Sequence, residues 1–162
     1  MQPVEPIMII DLFPQERKQL LELFSDLEAE DWERPTICPG WTVKDIGLHL
    51  LGDDIGYLSG GRDHFSNPFF RNKDLHEWES LVENINEANE LWVKATARVS
   101  PMLLSDLLAL TGKQFYDYVQ SLDQMAINGE LGRTRSCPCV AGYRERIYRE
   151  MGTSAADTRC CQ

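Results

Sequence analysis

Residues 35–51 decide the fold, and they read Pro-Thr-Ile-Cys-Pro-Gly-Trp-Thr-Val-Lys-Asp-Ile-Gly-Leu-His-Leu-Leu. The first half is predicted to be a tight non-helical segment, because proline fixes φ and lacks a backbone donor, and glycine permits a turn. Thr42 occupies the position of a helix N-cap, and Asp45 follows three residues later as an acidic variant of the capping box. We therefore predict that a helix begins at Thr42.

The helix that begins there carries one imidazole on its apolar face. His49 follows Ile46 by three residues and therefore shares its side of the helix. Taken alone, a histidine in such a position is more often a packed, hydrogen-bonded residue than a metal ligand. Asp53 and Asp54 lie one turn further along and could contribute a carboxylate if a metal were bound, but the favoured interpretation of Asp53 is a supporting or solvated residue.

Three other segments have the apolar periodicity of amphipathic helices. They are predicted as the first helix over residues 9–30, the third over residues 74–99 and the fourth from Ser100-Pro101 onward. The helix that carries His49 is the second, from Thr42 to about Gly60. Gly112 in the fourth is predicted to allow a neighbour to approach closely. Four such helices joined by short loops predict an all-α fold, an antiparallel four-helix bundle.

A longer motif surrounds the histidine. It reads Trp32-x-x-Pro35-Thr36-x-Cys38-Pro39-Gly40-Trp41-Thr42-Val43-x-Asp45 and is followed by His49-Leu50. Two later segments accompany it, Asn86-x-x-Asn89-Glu90-x-Trp92-Val93-x-Ala95-Thr96 and Ser100-Pro101-x-x-Leu104-x-x-Leu107-Leu108. With these motifs the chain resembles the mycothiol-dependent maleylpyruvate isomerase N-terminal domain, which belongs to the DinB-like superfamily of metal-binding four-helix bundles.

The resemblance implies a function and a set of site residues. His49 would be one ligand of a divalent metal, zinc in the first instance, and a low-molecular-weight thiol such as mycothiol would be the co-substrate. Asp53, Trp41 and Asn89 would support the ligand or line the pocket. The implied activity is that of a thiol-dependent isomerase or S-transferase acting on a small molecule. The alternative is a non-catalytic helical bundle without metal, which would associate as a homodimer.

The end of the chain departs from the family pattern. We divide the sequence into a lead-in over residues 1–8, the DinB-like bundle over 9–124 and an atypical tail over 125–162. The resemblance places in the tail a last helix of the form Tyr-Thr-Glu-Arg-Trp-x-His-Gln-Gln, whose Glu and His share one helical face and complete the metal site. Those two ligands would fall where the chain has Arg149 and Thr153, so the metal site is predicted to be incomplete.

A shift of reading frame explains this departure. If permitted codons for residues 140–158 are read one nucleotide downstream, they encode a peptide very close to the family's last helix. We therefore hypothesise a frameshift between about Gln124 and Cys137, which the nucleotide sequence around the codon for Gly129 would test. The alternative is an ordinary divergent C-terminus with a short helix over residues 144–151.

Composition restricts the partners and the compartment. A formal net charge of −10 argues against binding to nucleic-acid backbones or anionic membranes. No apolar run approaches the ~20 residues that span a bilayer, and the N-terminus does not resemble a secretory signal, so we expect a cytoplasmic protein. Cys38 is interpreted as a packed residue, and a soft-metal site at Cys160-Cys161 is the least favoured reading.

Overall fold

The computed structural model describes residues 9–71, 73 and 77–122, and the four predicted helices lie within these ranges. They are α1 (Phe13–Ser25), α2 (Val43–Tyr57), α3 (Trp78–Thr96) and α4 (Pro101–Gln120). The described ranges contain no strand, only an isolated antiparallel bridge between Pro35 and Thr42. The predicted all-α class is therefore confirmed for the described residues, whereas the lead-in and the whole of the atypical tail lie outside them.

The first helix is shorter than predicted at both ends. Residues Ile10–Leu12 form a 3₁₀ turn, and the α-helix starts at Phe13 with proline in its first turn. The helix ends at Ser25, so the prediction that it continues to Glu30 is wrong. A second 3₁₀ turn, Asp31–Glu33, redirects the chain so that Trp32 is buried against Phe24, with ring centroids 4.8 Å apart. A straight helix would not bring that indole back to the core.

The start of α2 confirms the predicted capping box. The Thr42 hydroxyl accepts a hydrogen bond from the Asp45 amide, and the Asp45 carboxylate accepts one from the Thr42 amide at 2.9 Å. Before the cap, the connector turns at Gly40, whose φ of +80° is a left-handed conformation that favours glycine. At its other end α2 passes into a single π turn, Leu58–Arg62, rather than stopping at glycine as predicted.

The third and fourth helices begin and end close to the predicted residues. α3 covers Trp78–Thr96, and the predicted start at residues 74–76 lies outside the described residues. Ser100 caps α4 by accepting a hydrogen bond from the Leu103 amide, and proline follows at the first position, as predicted. A short connection joins α3 to α4, and both helices pack against α2.

Contacts between the helices fix their directions. Arg17 contacts Asp54 and the position of Gly112, so α1 runs antiparallel to both α2 and α4. Trp92 contacts Leu48, and α3 is antiparallel to α2 as well. α2 and α4 are therefore parallel, and they pack directly against each other. Contacts spaced by about two helical turns join α2 and the π turn that follows it to α4, and they are Gly47–Leu104, Asp54–Thr111 and Gly61–Tyr118.

Apolar side chains fill the bundle in two clusters. The larger one surrounds α2, and its buried members are Phe24, Trp32, Ile46, Leu48, Leu50, Leu51, Val93, Leu104 and Leu108. The smaller one lies near the C-terminal end of α4, where Phe115 and Val119 pack with Phe13 and Tyr57. Among the described residues, no helix has the length and hydropathy needed to cross a membrane.

Candidate metal centre

His49 lies in the middle of α2 and is buried in the larger core cluster. Only 1% of its surface is exposed, which agrees with the inward face predicted from the periodicity. The cap at Thr42 determines where the helix starts and therefore which face His49 occupies. An imidazole at this depth must satisfy its polar atoms within the protein or with a bound species, because burial of an unpaired polar group is costly.

Two predicted site residues lie beside the imidazole. The ring of Trp41 meets the His49 ring edge-on, with centroids 5.2 Å apart and planes at 62°. Asp53, one turn along the helix, places Oδ2 3.7 Å from His49 Nε2, and 15% of its side chain is exposed. That distance is too long for a hydrogen bond. It does match the roughly 3–4 Å that separates two ligand atoms when each binds one zinc ion at about 2 Å.

The two donors fit part of a metal site. A catalytic zinc ion takes three protein ligands and leaves a fourth position open. Within residues 9–71, 73 and 77–122, no group of three or more His, Cys, Asp or Glu side chains is arranged to hold an ion. Arg149 and Thr153, the positions at which the remaining ligands were expected, lie outside the described residues. If a metal were bound here, His49 and Asp53 would supply two of the donors that it requires.

Asp54 belongs to a different contact, although the sequence offered it as a carboxylate donor. Its Oδ1 accepts a hydrogen bond from Arg17 Nη2 at 2.8 Å, and its Oδ2 accepts one from the Thr111 hydroxyl at 2.6 Å. The carboxylate is completely buried. Because both oxygens are engaged by side chains of α1 and α4, we assign Asp54 to the joining of three helices and not to the metal.

Sequence reasoning did not find Arg17 or Thr111. They lie far from Asp54 in the chain, and periodicity cannot reveal which polar positions of separate helices meet. The prediction for Gly112 is confirmed, because a Cβ there would lie 2.5 Å from Arg17 Nε. The small residue is needed for the arginine to cross α4 and reach Asp54.

The other candidate residues lie apart from the imidazole. Asn89 is half-buried on α3, and among the contacts of the described residues none joins it to Trp41, His49 or Asp53, so its role stays a prediction. His64 is exposed, in agreement with its interpretation as a surface residue. Cys38 is half-buried and packs against the larger core cluster.

Comparison with known proteins gives one match. A family model described as the mycothiol maleylpyruvate isomerase N-terminal domain matches residues 13–109. The match covers more than half of the chain, from the start of α1 into α4, and includes Trp41, His49 and Asp53. No curated protein and no solved structure matches the chain.

Proposed function

The chain belongs to the mycothiol maleylpyruvate isomerase N-terminal domain family, and we propose that it binds a divalent metal, zinc in the first instance, for the chemistry of a low-molecular-weight thiol. The observation that carries the proposal is the buried His49 ring with a carboxylate oxygen 3.7 Å from Nε2. Nitrogen and oxygen donors at this separation suit zinc.

Each residue around the imidazole has a distinct part in this proposal. His49 supplies a nitrogen lone pair, and Asp53 supplies a negative charge that favours a cation beside it. Trp41 packs edge-on with the imidazole and would form part of the wall beside a bound ligand. When bound, the metal would stabilise the sulfur of the thiol as a thiolate at neutral pH. The substrate class implied by the family is a small electrophile, such as an unsaturated diacid that undergoes cis–trans isomerisation, or an acceptor of S-transfer.

A second candidate function is a non-catalytic bundle that holds no metal. It is favoured by the identity of Arg149, because a guanidinium group has no lone pair to offer a metal. It is also favoured by the donor set of the described residues, which stops at His49 and Asp53. The two candidates differ in a quantity that is measured directly, the zinc content of the purified chain.

Elemental analysis of the purified full chain tests the proposal. If donors outside the described residues complete the site at His49 and Asp53, we expect about one zinc per chain and loss of that ion in His49→Ala. The matched control is His64→Asn, which removes an exposed histidine and places at its φ of 56° a residue that tolerates the left-handed region. The control should keep its zinc. Zinc-free wild-type protein, or equal zinc in wild type and His49→Ala, would refute the proposal in favour of the second candidate.

Thiol binding is tested on the same three proteins. A ligand present at 100 times its Kd raises the free energy of unfolding by about 2.7 kcal/mol. With zinc present, a low-molecular-weight thiol such as mycothiol should stabilise wild type and His64→Asn by up to that amount, as measured by thermal unfolding. The His49→Ala variant should not respond, and an equal response in all three would place thiol binding elsewhere.

A further inference from the structure

We propose that Trp92 of α3 is a positioning residue for His49. It acts by holding the peptide bond through which the histidine joins α2. The indole N–H donates a hydrogen bond to the carbonyl oxygen of Leu48, with Nε1 and O 2.7 Å apart. That carbonyl is the acyl half of the Leu48–His49 peptide bond, so the indole fixes the backbone plane from which the imidazole extends. Only the metal-binding test below depends on the proposed function.

A glycine makes room for this contact. A Cβ at Gly52 would lie 2.6 Å from Trp92 Nε1 and 2.8 Å from its Cδ1, closer than such atoms approach. In an α-helix the Leu48 carbonyl also accepts the Gly52 amide, so the indole approaches a carbonyl that is already engaged. The absence of a side chain at Gly52 is what lets the bulky ring come within hydrogen-bonding distance of the helix backbone.

A second glycine admits close packing on the preceding side of His49. A Cβ at Gly47 would lie 2.8 Å from Leu104 Cδ2 and 3.3 Å from the ring of Phe24. The histidine therefore lies between a glycine that faces α1 and α4 and a glycine that faces α3. Close packing on both sides leaves this part of α2 little freedom to rotate or slide.

A further polar contact strengthens the attachment of α3 to the start of α2. Lys44 Nζ donates a hydrogen bond to the Ala97 carbonyl at the end of α3, at 2.8 Å. With the Trp92 bond, it joins the last turns of α3 to the first turns of α2. Because lysine is flexible and its contact is exposed, the part-buried indole bond is the one that can set the depth of the imidazole. Groups that do not touch the metal but hydrogen-bond next to its ligands orient those ligands and alter metal affinity.

The test compares two Trp→Phe substitutions on one helix. Trp92→Phe keeps an aromatic ring but removes the N–H donor. Trp78→Phe is the control, since Trp78 is 65% exposed at the start of α3. Zinc affinity of the full chain is measured by competition with a chromophoric chelator, and urea unfolding of the metal-free protein reports global stability. We expect Trp92→Phe to weaken zinc binding about 10-fold, with Trp78→Phe within about twofold of wild type.

A double-mutant cycle separates positioning from general packing. Gly52→Ala should displace the indole and weaken zinc binding by a similar factor. If both substitutions break the same Trp92–Leu48 hydrogen bond, the loss of zinc affinity in the double variant will be smaller than the product of the two single losses. Multiplicative losses, or zinc affinity unchanged by Trp92→Phe, would overturn the inference.

A metal-free readout keeps this inference distinct from the proposed function. The Cε1–Hε1 NMR signal of His49, assigned by its loss in His49→Ala, reports the surroundings of the ring without any ion. Trp92→Phe and Gly52→Ala should each shift that signal, whereas Trp78→Phe should leave it in place. If wild type binds no zinc but the signal shifts in this pattern, the positioning role stands and the metal proposal fails. An unshifted signal in both variants overturns the positioning role.

Discussion

Two layers of α2, about one and a half helical turns apart, bury polar side chains in different ways. In the Asp54 layer, an arginine from α1 and a threonine from α4 each donate to the carboxylate at 2.8 and 2.6 Å. In the His49 layer, the imidazole lies beside Trp41, and an oxygen of the Asp53 carboxylate is 3.7 Å from Nε2. The Asp54 layer joins three helices. In the His49 layer, the 15% exposed carboxylate of Asp53 is a potential metal donor near the surface.

The difference shows that burial alone does not tell whether a polar side chain stabilises the fold or belongs to a binding site. His49 and Asp54 are equally inaccessible, and from the sequence both are polar residues on one helix. A charged group whose hydrogen bonds are completed by other helices serves the fold. In the His49 layer the Asp53 oxygen lies 3.7 Å from Nε2 and its side chain is 15% exposed, which makes this layer the better candidate for binding an added ligand. Substitutions in the two layers should therefore differ in what they damage.

The largest effect is expected in the Asp54 layer. Asp54→Ala would leave the guanidinium of Arg17 without its partner, and Arg17 is itself only 15% exposed. Breaking one partner of a buried pair costs about 3–5 kcal/mol, which urea unfolding would measure. The control is Asp117→Ala, whose pair with Lys113 is exposed and should contribute no more than about 0.5 kcal/mol. Similar losses in both variants would contradict the distinction between the layers.

An intermediate effect is expected from glycines of α2. Gly47→Ala forces a Cβ against Leu104 and Phe24 and should cost about 1–3 kcal/mol through overpacking. Gly56→Ala meets nothing within 4 Å, so it should stabilise the helix by up to about 1 kcal/mol. Opposite signs in thermal unfolding would show that the packing around His49 requires Gly47. A stabilising Gly47→Ala would show instead that this part of the helix is loosely packed.

The smallest effect is expected at the start of α2, which sets the position of both layers. Thr42→Ala removes the acceptor for the Asp45 amide and should lower the free energy of unfolding by about 1 kcal/mol. Thr42→Ser keeps the hydroxyl and should retain most of that stability. Equal losses in the two variants would assign the effect to the Thr42 methyl group and not to the cap.

Local features of the fold were predictable from sequence, whereas contacts between helices were not. The cap at Thr42, the start of α4 at Ser100 and the inward face of His49 each follow from residue chemistry at short spacing. The end of α1 was mispredicted because burial of Trp32 overrides the helical periodicity beyond Ser25. The Arg17–Asp54 pair and the Trp92 bond depend on how separate helices are aligned, for which a single sequence carries no local signal.

The parallel alignment of α2 with α4 has a consequence for how this chain tolerates changes in length. Asp54 and Thr111 are 57 positions apart, and Gly47–Leu104 and Gly61–Tyr118 keep the same separation. One extra residue inside either helix would turn every later side chain by about 100° and carry Thr111 away from Asp54. Extra residues in the connection between Arg62 and Lys73 would leave all three pairings intact. We therefore expect related chains to differ in the length of that connection and to keep the number of residues in α2 and α4.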